Sequence, residues 1–352
     1  MADRTRLNRM KISSDRLPLV VGYTTVAAML PYLAIKTAWL LGSDVGVNDP
    51  GLMQTTPFVV ANLITAGMEV TGAALALALV HRWGCRIPAW LVLFPMWVAS
   101  GLLAPVMVAA PLSFLAESLA GGVAAGGTES GDAPIAGLQG WVYAVVYSGF
   151  ILQGAGLAVA FGLHLRARWG GIVRGSVGSH PPGATHGVQV MSTVAVGGLT
   201  ALVVAVRLYW AGGGGAGLPA ASDAGRSLTQ QVVDASSAAL ALTGLLGLVV
   251  LVSRWPRELP AWAPVTAVWV GAGSMCCSGA YQLIILLAPG SPFEASGGGG
   301  FGLLLAAQTM SGLLAAVTGA YHLAEAYPER RYERLDAAPT STGVRAAGAQ
   351  GT

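Results

Sequence analysis

The sequence predicts an all-α membrane protein of eight transmembrane helices, built as two tandem four-helix repeats in the same orientation. Three observations predict it. Of 352 residues, 54% are apolar and only 10% charged, with a mean hydropathy of +0.63, where a soluble domain devotes about a quarter of its residues to charge. The apolar residues gather into runs long enough to cross a bilayer. The chain also matches itself at a fixed offset. This composition excludes a soluble enzyme and a nucleic-acid-binding domain. The three cysteines, two of them adjacent (Cys85, Cys276, Cys277), cannot form a disulfide framework.

A hydrocarbon core about 30 Å thick needs about 20 residues at 1.5 Å each. Apolar runs bounded by charges or by Pro and Gly clusters predict spans at 17–41, 57–80, 87–110, 141–163, 190–211, 231–252, 262–288 and 302–323. The first run is too long for a signal-peptide core, contains Pro31 and Lys36, and leads into no small-residue cleavage site, so it reads as a span. A short interfacial helix is expected at 114–119, inside the connection from Pro111 to Gly140. The domain plan is a basic leader at 1–16, a first four-helix unit at 17–165, a linker at 166–189, a second unit at 190–324 and a largely disordered tail at 325–352. The end of that tail is Ala, Gly, Thr and Pro without periodicity.

Sorting the basic residues gives the orientation. Arg4, Arg6, Arg9, Lys11 and Arg16 precede the first span. Arg82, Arg86, Arg166, Arg168, Arg174, Arg254, Arg257, Arg330, Arg331, Arg334 and Arg345 fall in every second connection and the tail. The opposite loops carry Arg226 among Asp44, Asp49, Glu117, Glu129, Asp132, Asp223 and Glu294. The positive-inside rule therefore puts both termini in the cytoplasm and the protein in the plasma membrane.

At an offset of 172, residues 69–101 align with 241–273 without a gap. Trp83, Trp90, Trp97 and Gly101 coincide with Trp255, Trp262, Trp269 and Gly273, and Arg82 and Pro88 with Arg254 and Pro260. Around this block, IKTAWLLG parallels VRLYWAGG, pairing Lys36 with Arg207 and Trp39 with Trp210. GAGLAVAFGLHL parallels GLLAAVTGAYHL, pairing His164 with His322. Four spans return a chain to its starting side, so the two copies share one orientation and their pseudo-twofold axis runs along the membrane normal.

The paired signature [K/R]-x-x-W-x-x-G at a helix end, followed by R-W-x-x-x-[I/L]-P-A-W between the next two helices, resembles that of uncharacterised polytopic membrane proteins of high-GC actinobacteria. The 49 glycines and the bias of Arg over Lys, with Lys11 and Lys36 the only lysines, suit such a genome. The resemblance implies an eight-span integral membrane protein and brings no assigned activity.

Four charges fall within spans, where an ionisable group costs at least about 2.5–3.5 kcal/mol on insertion scales. Arg207 and Asp234 each lie roughly 5–9 Å from the outer helix ends on successive helices and are expected to pair. Lys36 is at comparable depth and is expected to snorkel outward. Glu69 lies roughly 18 Å in, near the midplane. Its counterpart is Ala241, so a shared scaffold does not demand an acid there. Desolvation penalises the carboxylate, which suits proton exchange or a cationic or polar solute; the structural alternative is a bond to a helix carbonyl, Thr65 or Thr71.

Trp90, Trp97 and Gly101 share one helix face, repeated by Trp262, Trp269 and Gly273. Trp97 and Trp269 sit deep in their spans. They read either as helix packing or as the lining of a cavity for a lipid, quinone or other apolar ligand between the units. His164 and His322 could supply two axial imidazoles to haem or help bind a metal; against that, a lone His at a helix C-terminus is favoured by the dipole. The stretches Gly212 to Gly215 and Gly297 to Gly300 lack a P-loop lysine, and no catalytic signature is present. The function expected is that of a small-solute or proton-linked transporter. The alternatives are a non-catalytic scaffold or sensor, and a haem- or quinone-binding redox protein. The lipid bilayer is the partner the sequence predicts, with a small solute or apolar ligand between the units; it identifies no cofactor.

Overall fold

The computed structural model of the chain describes residues 2–120, 138–173, 175–179, 181–218, 226–287 and 299–336. Among these the chain is α-helical, with two isolated β-bridges and no strands. Eight helices are long and apolar enough to cross a membrane, which makes this a multi-pass integral membrane protein in a lipid bilayer. They are α1 (Ala2–Leu40), α2 (Thr56–Val80), α3 (Ala89–Leu119), α4 (Gly140–Val173), α5 (His186–Ala211), α6 (Leu228–Ser253), α7 (Trp262–Leu287) and α8 (Gly299–Asp336). All eight predicted spans are present, and most run longer than expected. The short helix expected at 114–119 does not stand alone. It is the end of α3, which continues through Pro95, Pro105 and Pro111, because neighbouring helices can satisfy the backbone groups that proline frees in a membrane. The basic leader is helical from Ala2, and the start of the expected disordered tail is the helical end of α8; residues 337–352 lie outside the described set.

Loop contacts define the two ends of the bundle. At one end, Val47 bridges to Leu138, Gln139 N–H donates to the Gly46 carbonyl at 2.8 Å, and the Thr229 hydroxyl donates to Glu117. At the other, the α4–α5 connection pairs with the α6–α7 connection: Val177 N–H donates to Leu259 O and Ala261 N–H to Gly175 O, each at 2.9 Å. Arg168 donates to the Ile87 carbonyl at this same end, at 3.0 Å. The described loop arginines therefore gather at one end, apart from Arg226, and Asp44, Asp49 and Glu117 at the other. Glu129, Asp132, Asp223, Glu294, Arg174 and His180 lie outside the described residues.

Helix α1 packs on α2 and α4, as α5 packs on α6 and α8. Each half has its own apolar core, one around Met29, Leu79, Met96 and Leu157, the other around Val196, Leu248, Leu251 and Val268. The halves meet where α3 crosses α6 and α7. Glycine makes that crossing close: a Cβ on Gly101 would lie 2.4 Å from the Gly273 carbonyl oxygen. Within the second half, where α6 and α7 cross, one on Gly271 would lie 2.4 Å from the Gly244 backbone. Small residues at helix crossings replace the hydrophobic drive that lipid does not supply. Beside the first crossing, Trp269 Nε1 donates to Ser100 Oγ across the halves at 2.9 Å. Lining up with this crossing, α7 widens into a π-turn at Ser274–Ser278.

Candidate functional site

Inside the first half, α1, α2 and α4 bring a set of polar side chains together in an otherwise apolar interior. Lys36 is 2% exposed. Its Nζ donates to Asn62 Oδ1 at 3.3 Å and to Thr65 Oγ1 at 2.5 Å, and rests 4.4 Å from the centre of the Tyr32 ring. The expected outward snorkelling is thus corrected. Two neutral acceptors one turn apart on α2, and an aromatic face one turn back on α1, hold the ammonium inside.

Glu69 is 7% exposed and stands two turns along α2 from Asn62. Its Oε1 accepts from Gln153 Nε2 of α4 at 3.3 Å. Its Oε2 is buried and has no hydrogen-bond partner among the described residues. The partner is neither Thr65, which receives Lys36, nor Thr71, whose hydroxyl donates to the Gly67 carbonyl at 2.8 Å. Glu69 and Lys36 are close enough for their charges to act on each other, though they form no direct ion pair, and the Tyr32 hydroxyl also lies within the field of Glu69.

The second half also buries charge between its helices, with different partners. Arg207 Nη1 donates to Asp234 Oδ1 at 2.7 Å, the pair expected from their depth. Arg207 Nη2 donates to Gln308 Oε1 at 2.9 Å, and Arg226 donates to Asp234 Oδ2. Asp234 stands at the same offset of 172 from Asn62 that relates the matched tryptophans. Each half therefore has a basic residue on its first helix bonded to an Asn or Asp on its second. The paired tryptophans behave alike too: Trp39 Nε1 donates to the carbonyl of Val45 at 2.8 Å, and Trp210 Nε1 to that of Ala216 at 3.0 Å.

Trp97 and Trp269 lie at the junction of the halves, along the walls of an apolar groove. His164 and His322 each bond within their own half. His164 Nδ1 pairs with the Leu79 carbonyl at 3.1 Å and His322 Nδ1 with Gln189 Oε1 at 3.3 Å. Among the described residues no group of three or more His, Cys, Asp or Glu converges to hold a metal ion.

Sequence reasoning missed Asn62, Gln153, Gln308 and Arg226. The amides carried a usable signal, since a side-chain amide in an apolar span must find a partner. Arg226 gave none, because it is a loop residue whose reach to Asp234 depends on the fold. Comparison with known proteins returns no matching family, no matching curated protein and no matching solved structure.

Proposed function

We propose that the protein is a plasma-membrane transporter of a small solute, with its translocation site in the first of two tandem four-helix units and proton exchange carried by Glu69. The single observation that carries this reading is the unfinished polarity of that site. A carboxyl near mid-span has one oxygen on Gln153 and the other buried without a partner, beside an ammonium held only by neutral groups. A structural polar cluster in lipid is expected to be closed, since each unsatisfied group there costs several kcal/mol. The second unit also leaves Arg207 Nε and Arg226 Nε buried without a partner among the described residues, but its one carboxylate is closed, with each Asp234 oxygen on an arginine, and on this reading it serves as scaffold.

Glu69 would couple a proton to solute selection through charge. Ionised, it offsets Lys36 and leaves Oε2 to accept from a donor on the solute. Protonated, it leaves Lys36 as the local charge, so the site's preference changes with one proton. Both termini and the arginine-rich end face the cytoplasm on this reading, following the positive-inside rule.

The test uses proteoliposomes loaded with a pH-sensitive dye and challenged with panels of small cations, zwitterions and anions under an imposed pH gradient. Some solute should drive proton movement in the unmodified protein, and Glu69→Gln, which preserves size and hydrogen bonding, should fold normally and abolish it. The same solute-driven proton flux in Glu69→Gln would end the proton-linked reading.

A further inference from the structure

Between the two halves lies a groove of about 230 Å³ whose lining is almost wholly apolar, with Phe94 and Trp97 of α3, Trp269 of α7, and Gly319 and Leu323 of α8 among its walls. In the proposed tandem alignment that pairs His164 with His322, Gly319 is the counterpart of Phe161. The two positions are filled differently. Phe161 is buried and packs its ring on Trp269, with centroids 5.3 Å apart. Gly319 presents no side chain to Trp97, the counterpart of Trp269; a Cβ there would meet Val268 Cγ1 at 3.2 Å, and the groove lies beyond it.

Five observations bear on what fills it. Trp255 and Trp262 are 73% and 53% exposed at the arginine-rich end, the position of aromatic anchors at the headgroup level. The groove residues Val265 and Trp269 lie about 4.5 and 10.5 Å below Trp262 along α7, which is acyl-chain depth in that leaflet. The groove opens sideways, since Phe94 in its wall is 62% exposed. One turn beyond the lining residue Leu251, Arg254 carries a guanidinium that is only partly exposed, with Nε and Nη1 buried without a hydrogen-bond partner among the described residues and its charge also acting on Glu325. The volume falls below the roughly 300–1,000 Å³ of sites that enclose compact small molecules, and a groove of this size open to the lipid takes part of an acyl chain.

We infer that this groove holds one acyl chain of an anionic phospholipid from the leaflet at the arginine-rich end, with the lipid headgroup meeting Arg254. The lipid takes the place that Phe161 occupies in the other half and completes the packing around Trp97. This site is separate from the Glu69 cluster, and its occupancy does not depend on transport.

The full-length chain, reconstituted in vesicles of phosphatidylglycerol or of phosphatidylcholine and examined by native mass spectrometry after detergent exchange, should retain one phosphatidylglycerol and little phosphatidylcholine. Gly319→Phe should lower retention about tenfold, and Arg254→Gln should remove the headgroup preference while leaving a lipid bound. Unchanged retention in Gly319→Phe, equal retention of both lipids by the unmodified protein, or recovery of a quinone in place of phospholipid would each overturn the inference. Should Gly319→Phe fail to fold, phosphatidylglycerol with a diazirine at the end of its acyl chain tests the unmodified protein directly. Crosslinks should concentrate on peptides containing Trp97 and Leu323, and crosslinks spread around the bundle refute the site.

Discussion

The buried charges of the second half make an unequal double-mutant cycle. Asp234 accepts from Arg207 on one oxygen and from Arg226 on the other, with side-chain exposures of 5–7% throughout. Asp234→Asn leaves both arginines without a counter-charge, the situation that costs about 3–5 kcal/mol when one partner of a buried pair is removed. Arg207→Met is milder. Asp234 keeps Arg226, and the chief loss is one charged hydrogen bond to Asp234 and one to Gln308, a cost of about 1–3 kcal/mol. In the double variant Arg226 remains stranded but Arg207 does not, so the cost should match or fall below that of Asp234→Asn alone, and the coupling energy should exceed about 1 kcal/mol. Unfolding in mixed micelles by titration with dodecyl sulfate, followed by tryptophan fluorescence, measures all three against the unmodified protein. If Arg207→Met cost more than Asp234→Asn, or if the two losses simply added, the account of Asp234 as the shared centre would be wrong.

Two further outcomes follow from geometry. Gly101→Ala should destabilise by about 1–3 kcal/mol, because the new methyl meets the Gly273 backbone rather than a movable side chain; Gly67→Ala, where nothing lies within 4 Å, should be neutral or slightly stabilising, and equal melting temperatures for the two would refute the close crossing. Asn62→Asp combined with Glu69→Ala should move the acid of the first half to the place it holds in the second, raising thermal stability while abolishing solute-driven proton flux; a flux that survives would remove Glu69 from the mechanism.

The membrane class and all eight spans were legible because the signal is one-dimensional, a run of apolar residues as long as the bilayer is thick. What lay beyond reach was contact between helices. Lys36 looked able to snorkel because its stem is long, and only the packing of α1 on α2 shows that Asn62 and Thr65 receive it first. Gln153 is 84 residues from Glu69, and no periodicity says which helix will face the acid. Arg207 and Asp234 could be paired from sequence because adjacent helices joined by a loop are neighbours and the two residues share a depth. Pro111 read as the end of α3, a rule from water that fails where neighbouring helices can satisfy the freed backbone groups.

The difference between the halves comes down to where one acid sits. In the second half it is at Asp234, in direct contact with both Arg207 and Arg226. The first half has an amide, Asn62, at the matched position and carries its acid seven residues later, at Glu69, where the second half has Ala241. Seven residues are two helical turns, so the acid keeps the same face of α2 but moves about 10.5 Å along it. That displacement takes the carboxyl out of direct contact with Lys36 and toward the middle of the span. Neutral groups then satisfy each charge in part: Asn62, Thr65 and Tyr32 the ammonium, Gln153 one oxygen of the carboxyl. A scaffold gains nothing from this separation, since closing the pair costs only one substitution at position 62. A site that must take up and release a charged guest needs it, because a carboxylate locked to its own arginine has no acceptor to offer.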